Sequence, residues 1–274
     1  MRTDQMKAPS VARFNLLFGL WMIFGLSTAH AQTEDYDKFS IGLGVFFTER
    51  ETDTSFDSSL GAPGSNVDLE KELGLSKSDS VFRIDGYYRF APKHQINFSA
   101  FDLSRSASRQ IQGQINWKNT IFLVDTVVNS DFDLTIYKID YTWRFMQRDN
   151  GYLGLTAGLY VADFGINVFA PLTSQLGLSD ATAPLPVIGL RSRYEFSEKW
   201  SFRADGEFFF FEYGDWDGSL YDIYAGVEYS LFKNMGIGIG VNAVKMDLGV
   251  TKPNLTGNLD WEYSGALVFL RFNF

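Results

Sequence analysis

The last stretch of the chain, Leu259–Phe274, constrains the fold most. Phe274, Phe272, Leu270, Val268 and Ala266 form one set of alternate residues; Asn273, Arg271, Phe269, Leu267 and Gly265 form the other. A period of two means a β-strand with two unlike faces. An aromatic strand with a charge on its other face makes a poor core strand in water. It suits a membrane barrel, where one face meets lipid and the other the lumen.

Nine earlier segments repeat the pattern. They run over about 38–50, 81–90, 95–105, 132–147, 152–164, 185–196, 200–213, 220–232 and 235–248. The first sets Phe39, Ile41, Leu43, Val45 and Phe47 against Ser40, Gly42, Gly44 and Phe46. The fourth sets Tyr137, Ile139, Tyr141, Trp143 and Phe145 against Lys138, Asp140, Thr142 and Arg144. The ninth carries Gly236, Gly238 and Gly240 on its inner face and is the weakest in pattern. In the third, the apolar set passes from Ile96, Phe98 and Ala100 to Phe101 and Leu103, which predicts a bulge near Ala100. Connections at 91–94, 148–151, 197–199 and 233–234 are short, whereas 51–79, 106–131, 165–184, 214–219 and 249–258 are mostly long. Short turns at one end and long loops at the other are a feature of outer-membrane barrels. The expectation is an all-β, antiparallel up-and-down transmembrane barrel of ten strands, with eight as the alternative, short periplasmic turns and longer extracellular loops.

The N-terminus has the parts of a secretory leader. Arg2, Lys7 and Arg13 precede an apolar run from Phe14 to Leu26, and Ala29-His30-Ala31 is a small-x-small cleavage signal. The expected division is a cleaved signal peptide over 1–31 and a single barrel domain over 32–274. No later run is apolar and long enough for a membrane-spanning helix.

With this leader and this terminal strand, the sequence resembles the bacterial outer-membrane β-barrels of the small-barrel (OmpW/opacity-like) superfamily. The resemblance implies a Gram-negative outer membrane, contact with its lipid and lipopolysaccharide, and reading of the strand ending in Phe274 by the barrel-assembly machinery.

Charge narrows the partners. The leader carries three basic residues and Asp4, so its removal takes the net charge from −9 to −11. So acidic a chain, without a basic stripe, excludes a nucleic-acid partner. With no cysteine there is neither a disulfide framework nor thiol chemistry.

Alternation turns many charges inward: Arg83, Arg89, Lys138, Arg144, Arg191, Arg193, Arg203 and Arg271 against Asp85, Asp140, Glu195, Asp205, Glu207, Asp222 and Glu228. In a lumen only wide enough for side chains, opposite signs must pair across strands. Two readings remain: a packed polar core, or a narrow path for ions or solutes. Arg271 is expected to find an acidic partner on a neighbouring strand. Phe46, Tyr160, Phe209, Phe211 and Tyr224 make an inner apolar set, either a pocket for an apolar solute or rings that plug the lumen. Phe82-Arg83-Ile84-Asp85-Gly86 and Phe202-Arg203-Ala204-Asp205-Gly206 echo each other.

An enzyme is not expected. The omptin proteases, lipid A deacylases and palmitoyl transferases share the need for a histidine near the outer rim. Here His30 leaves with the leader, and His94 lies in a short periplasmic turn. No catalytic residue, cofactor or metal ligand is assigned. Asp215-Trp216-Asp217-Gly218 lacks the remaining ligands of a calcium loop. The acidic loop with Asp53, Asp57, Asp68, Glu70, Glu72 and Asp79 is either solvated or shares divalent cations with lipopolysaccharide phosphates. The apolar loop from Gly165 to Pro184 calls for a partner: the lumen mouth, the outer leaflet or another protein. The reading that follows is a non-enzymatic barrel, a narrow channel for small or apolar solutes. The alternatives are an occluded structural or adhesion barrel acting through its loops, and a lipid-modifying enzyme.

Overall fold

The computed structural model describes residues 37–57, 64–252 and 255–274. The expected leader lies outside them. Thirteen strands follow in chain order: β1 (Phe39–Phe56), β2 (Val67–Asp68), β3 (Ser78–Ala91), β4 (His94–Gln110), β5 (Ile115–Trp117), β6 (Thr120–Phe122), β7 (Val127–Arg148), β8 (Gly151–Ala170), β9 (Gln175–Glu195), β10 (Trp200–Tyr213), β11 (Trp216–Phe232), β12 (Met235–Lys252) and β13 (Leu255–Asn273). The ten long strands pair antiparallel in the order β1, β3, β4 and β7 through β13, and β13 pairs back onto β1. The result is a closed ten-stranded barrel. The terminal strand closes it: Ile41 stands opposite Phe272, and Phe274 N donates to Phe39 O at 2.8 Å.

The outward face is apolar over a belt. Ile41, Leu43, Val45 and Phe47 line it on β1, Tyr137 to Phe145 on β7, and Phe202, Phe208 and Phe210 on β10. Phe82 is 62% exposed and Ile239 64%, so this surface needs lipid around it. At the short-turn end Trp200 packs against Phe196 and Tyr229, and Phe39 against Phe274, an interfacial aromatic girdle.

Above the belt the strands continue well past their sequence-predicted ends. The apolar phase inverts there. On β7 the outward residues become Thr135, Asp133 and Asp131, while Leu134 and Phe132 turn inward and are buried. The same inversion occurs on β4, where Phe101 and Leu103 face inward. The ladder from β4 to β7 runs without a shift from His94 to Gln110. The predicted bulge near Ala100 is therefore absent; the environment changes and the strand does not. Likewise 165–184 is mostly not a loop. It is the outer end of the β8–β9 hairpin, with Ile166 and Val168 buried inside and a turn at 171–174.

Among the described residues, two stretches of wall lack a strand partner. β3 reaches only from Ser78, so the outer halves of β1 and β4 are not joined by it. The chain fills that gap itself: β2 pairs with β1, and Arg105 of β4 bonds Glu70 and, at 3.0 Å, Ser76 O. Val67, Leu69 and Leu73 are wholly buried there. The second gap lies between β9 and β10, whose pairing stops at Ile188 opposite Phe208.

Candidate functional site

The lower lumen is a connected set of charges. Asp85 of β3 receives Arg271 of β13 at 3.0 Å and Arg203 of β10 at 3.5 Å. Arg203 also bonds Asp205, which lies 3.2 Å from Arg191 of β9. Arg191 pairs with Asp140 of β7 at 3.1 Å and with Glu207 at 3.5 Å. Lys138 joins Glu207 at 2.6 Å to Asp222 of β11 at 3.0 Å. On the other side Arg271 reaches Glu228 at 3.1 Å, and Arg193 bridges Glu228 at 3.5 Å and Glu195 at 3.6 Å.

Neutral groups complete the set. Asn242 of β12 donates to Asp222 at 2.7 Å and accepts from Arg83 at 2.8 Å. Asn97 of β4 donates to Asp140 at 2.6 Å, and Arg271 reaches Ser40 of β1 at 3.4 Å. Arg89 and Arg144 lie against the rings of Tyr87 and Tyr152, at 5.4 and 3.6 Å. Buried charges persist only when paired and hydrogen-bonded, and most of these charges are; Arg144 instead lies on the Tyr152 ring, with Nε and Nη1 making no hydrogen bond. The remaining cavity among them is about 40 Å³, room for no more than a few waters. The polar residues thus form a densely paired floor.

Glycine decides who pairs with whom. Arg271 does not find its acid on a neighbouring strand, as the sequence predicted. Its neighbours opposite are Gly42 on β1 and Gly236 on β12. Asp85 and Glu228 each lie one strand further on, and reach over those glycines. A Cβ on Gly42 would lie 2.7 Å from Asp85 Oδ1, and one on Gly236 3.0 Å from Glu228 Oε1.

Above the floor the lumen becomes apolar. Phe46 packs edge-on against Phe101 and Tyr263, at 6.4 and 5.5 Å. Tyr160 is buried in the same cluster, and Tyr224 carries the Arg203 guanidinium on its ring at 4.9 Å. These three fill space. Phe209 and Phe211 stack on each other at 6.0 Å and line a cavity of about 510 Å³. Phe164, Leu185, Leu248 and Leu259 line it too. The predicted apolar set is therefore split between packing and cavity. Phe164, Leu185, Leu248 and Leu259 stand at the ends of strands read in the sequence, whereas residues 179–184, Asp217, Gly218, Gly249, Val250, Gly257 and Asn258 come from stretches read there as loop.

His94 opens β4 at the short-turn end, stacked with Phe90 and Tyr141. Among the described residues no three His, Cys, Asp or Glu side chains are grouped to hold a metal ion. Asp217 lies on the cavity rim, and Asp215 O accepts from Thr251 N at 2.8 Å.

No protein-family model matches the chain, and no curated protein matches it. Solved structures match in shape. The outer membrane protease OmpT from Escherichia coli superposes with a TM-score of 0.55 at 11% identity, over 89% of this chain and 99% of that one. The Pseudomonas putida toluene transporter TodX gives 0.38 at 10% identity, over 87% and 91%. Neisserial surface protein A gives 0.34 at 13% identity, over 86% and 97%. The fold is that of a bacterial outer-membrane β-barrel, and the lipid-facing belt is that of one that spans the membrane.

Proposed function

We propose that this barrel is a non-enzymatic outer-membrane protein that binds small apolar solutes in its outer half, as the upper stage of a narrow path closed below at rest. The observation that carries this reading is the stacking of two unlike chambers: an apolar cavity of about 510 Å³ directly over a paired ionic floor. A cavity of that size and lining suits a small apolar ligand. A hydrolytic site at the outer rim needs a base near neutral pH, and His94 sits at the other end of the barrel. The resemblance in shape to a protease is one of fold, and fold does not carry activity.

The test is saturable binding of an apolar fluorescent probe, N-phenylnaphthylamine, to the folded barrel in lipid nanodiscs. Wild type is expected to bind about one probe per barrel, and Phe209→Glu to lose it while keeping the mobility of a folded barrel. Equal binding by both, or none by wild type, overturns the reading.

A further inference from the structure

The small cavity within the floor has an unbalanced lining. Six arginines and one lysine line it, against two carboxylates, Asp85 and Asp140. The other buried acids that pair with these cations, Asp205, Glu207, Asp222 and Glu228, stand outside the lining on β10 and β11. Over the whole lower lumen, eight inward basic side chains face seven acids, and one of the seven, Glu195, has its side chain 52% exposed. Asp37 and Lys38, of opposite sign, are both exposed at the same end. The buried set is therefore short of negative charge by at least one, and an uncompensated buried charge is costly.

The lining also carries unmade hydrogen bonds. Ser99 Oγ and Arg83 Nε are donors with no partner, on side chains that are nine-tenths buried. Gln95, wholly buried, spends Nε2 on Asn97 Oδ1 at 2.6 Å and leaves Oε1 unbonded. Buried polar groups of this kind call for a polar occupant. About 40 Å³ holds one small ion with a water or two. A water satisfies Gln95 Oε1, but water alone leaves the excess charge uncompensated. The cavity is reached from the short-turn end, where Tyr87, Arg89, Tyr152 and Arg193 line it and are each partly exposed. Arg144 stands close to that entrance. There β7 sets two residues, Arg144 and Phe145, opposite Gly154 of β8, and this bulge turns the guanidinium onto Tyr152. The entrance is thus positive, which favours anions over cations.

We propose that the floor cavity binds one small monovalent anion of halide size, taken up from the short-turn side, as the missing counter-charge of the lower lumen. Arginine N–H groups and the Ser99 hydroxyl supply its donors, and charge-assisted hydrogen bonds of this kind are the strong ones. The space is too small for a sugar phosphate or a nucleotide. The inference goes beyond the apolar-cavity reading above and does not depend on it.

The test uses bromide as the probe on the folded barrel. Crystals grown in sodium bromide are expected to show an anomalous bromide peak inside the cavity. In detergent solution, bromide NMR is expected to show saturable line broadening that chloride competes away and sulfate at equal ionic strength does not. Gln95→Glu fixes a carboxylate in the cavity wall, opposite Arg89 in the register. This tethered anion replaces the free one, and is expected to cut the broadening by about tenfold or more while the barrel keeps its folded mobility on gels. Arg89→Gln removes one positive charge from the lining and is expected to do the same, so the proposal remains testable if the first variant does not fold. A folded wild type with neither a cavity peak nor competable broadening overturns the proposal. So does broadening that both variants retain, or a peak at Arg144 or on the outer surface alone. A cavity peak without saturable broadening in solution marks an adventitious ion only, and overturns it too.

Discussion

Arg271 and Asp85 pair at 3.0 Å across an intervening strand, and Gly42 lies directly between them in the register. The strand that closes the barrel is thereby tied to β3 through the lumen as well as to β1 through its ladder. A side chain at position 42 would enter the space of the carboxylate. Gly42→Val is expected to destabilise the barrel by about 1–3 kcal/mol through overpacking. Arg271→Ala leaves Asp85 and Glu228 short of a partner, and is expected to cost about 3–5 kcal/mol. Urea unfolding in detergent micelles, followed by the heat-modifiable shift of folded barrels on gels, measures both. Equal stability of Arg271→Ala and wild type would mean that the floor is solvated rather than packed.

The floor also predicts an electrical result. The charges form one connected set reaching across the lumen, and the space left is about 40 Å³. Wild-type protein in planar bilayers is expected to show no steady ion conductance. Asp85→Ser with Arg203→Ser removes a pair that meets from opposite walls and shortens both side chains. Discrete conductance steps are expected to follow. Steps of the same size in wild type would show that the floor is open.

The belt was legible because lipid and lumen differ so sharply in polarity that each strand sorts its residues by parity. Ile139, Tyr141 and Trp143 against Lys138, Asp140 and Thr142 leave one assignment only. Above the belt the contrast reverses, water outside and apolar core inside. The residues Ile96, Phe98 and Ala100, followed by Phe101 and Leu103, then mimic a phase slip. The outer ends of β8 and β9 look like an apolar loop for the same reason. Inward charges could be named from parity, but their partners could not. Those depend on register and on Gly42 and Gly236, which carry no polarity signal. The echo of Arg83–Asp85 in Arg203–Asp205 acquires a setting instead: β3 and β10 stand five places apart in a ring of ten, and Arg203 meets Asp85 across it.

The seal between β1 and β4 rests on one buried ion pair. Glu70 takes Arg105 and accepts from Thr52 N at 2.9 Å, while Arg105 bonds Thr52 Oγ1 at 2.9 Å and lies over Phe132 at 4.8 Å. Glu70→Ala leaves the guanidinium buried without its carboxylate. The expected cost is about 3–5 kcal/mol, felt locally as release of the 67–77 segment. Limited proteolysis of intact cells should cut there in the variant and not in wild type, with the barrel still folded. Glu70→Leu with Arg105→Met removes both charges and should restore resistance. Continued cleavage of that double variant would show that the segment is held by something other than the pair.

Above the belt, four aspartates stand opposite one another across four strands: Asp68, Asp53, Asp260 and Asp247. Lys71 neutralises the first, bonding Asp68 at 2.6 Å. Asp260 is pushed above the usual carboxylate range, by partial burial first and then by the hydrogen bond and charge of Asp247. Asp53 is also raised, by partial burial and by the charge of Asp68. A carboxyl whose value is higher in the fold binds its proton more tightly there than in the unfolded chain. Its contribution to stability is therefore full below the unfolded value and is lost as pH rises through the folded one. The outer rim is expected to be firmer in mild acid than at neutral pH. Asp260→Asn should flatten that dependence and stabilise the neutral form by about 0.2–1 kcal/mol, because solvent and salt screen exposed charges. Thermal unfolding between mildly acid and neutral pH, at low and high ionic strength, measures it. Loss of stability in Asp260→Asn at neutral pH would mean that Asp247 and Asp260 already share a proton there and hold the two strands together.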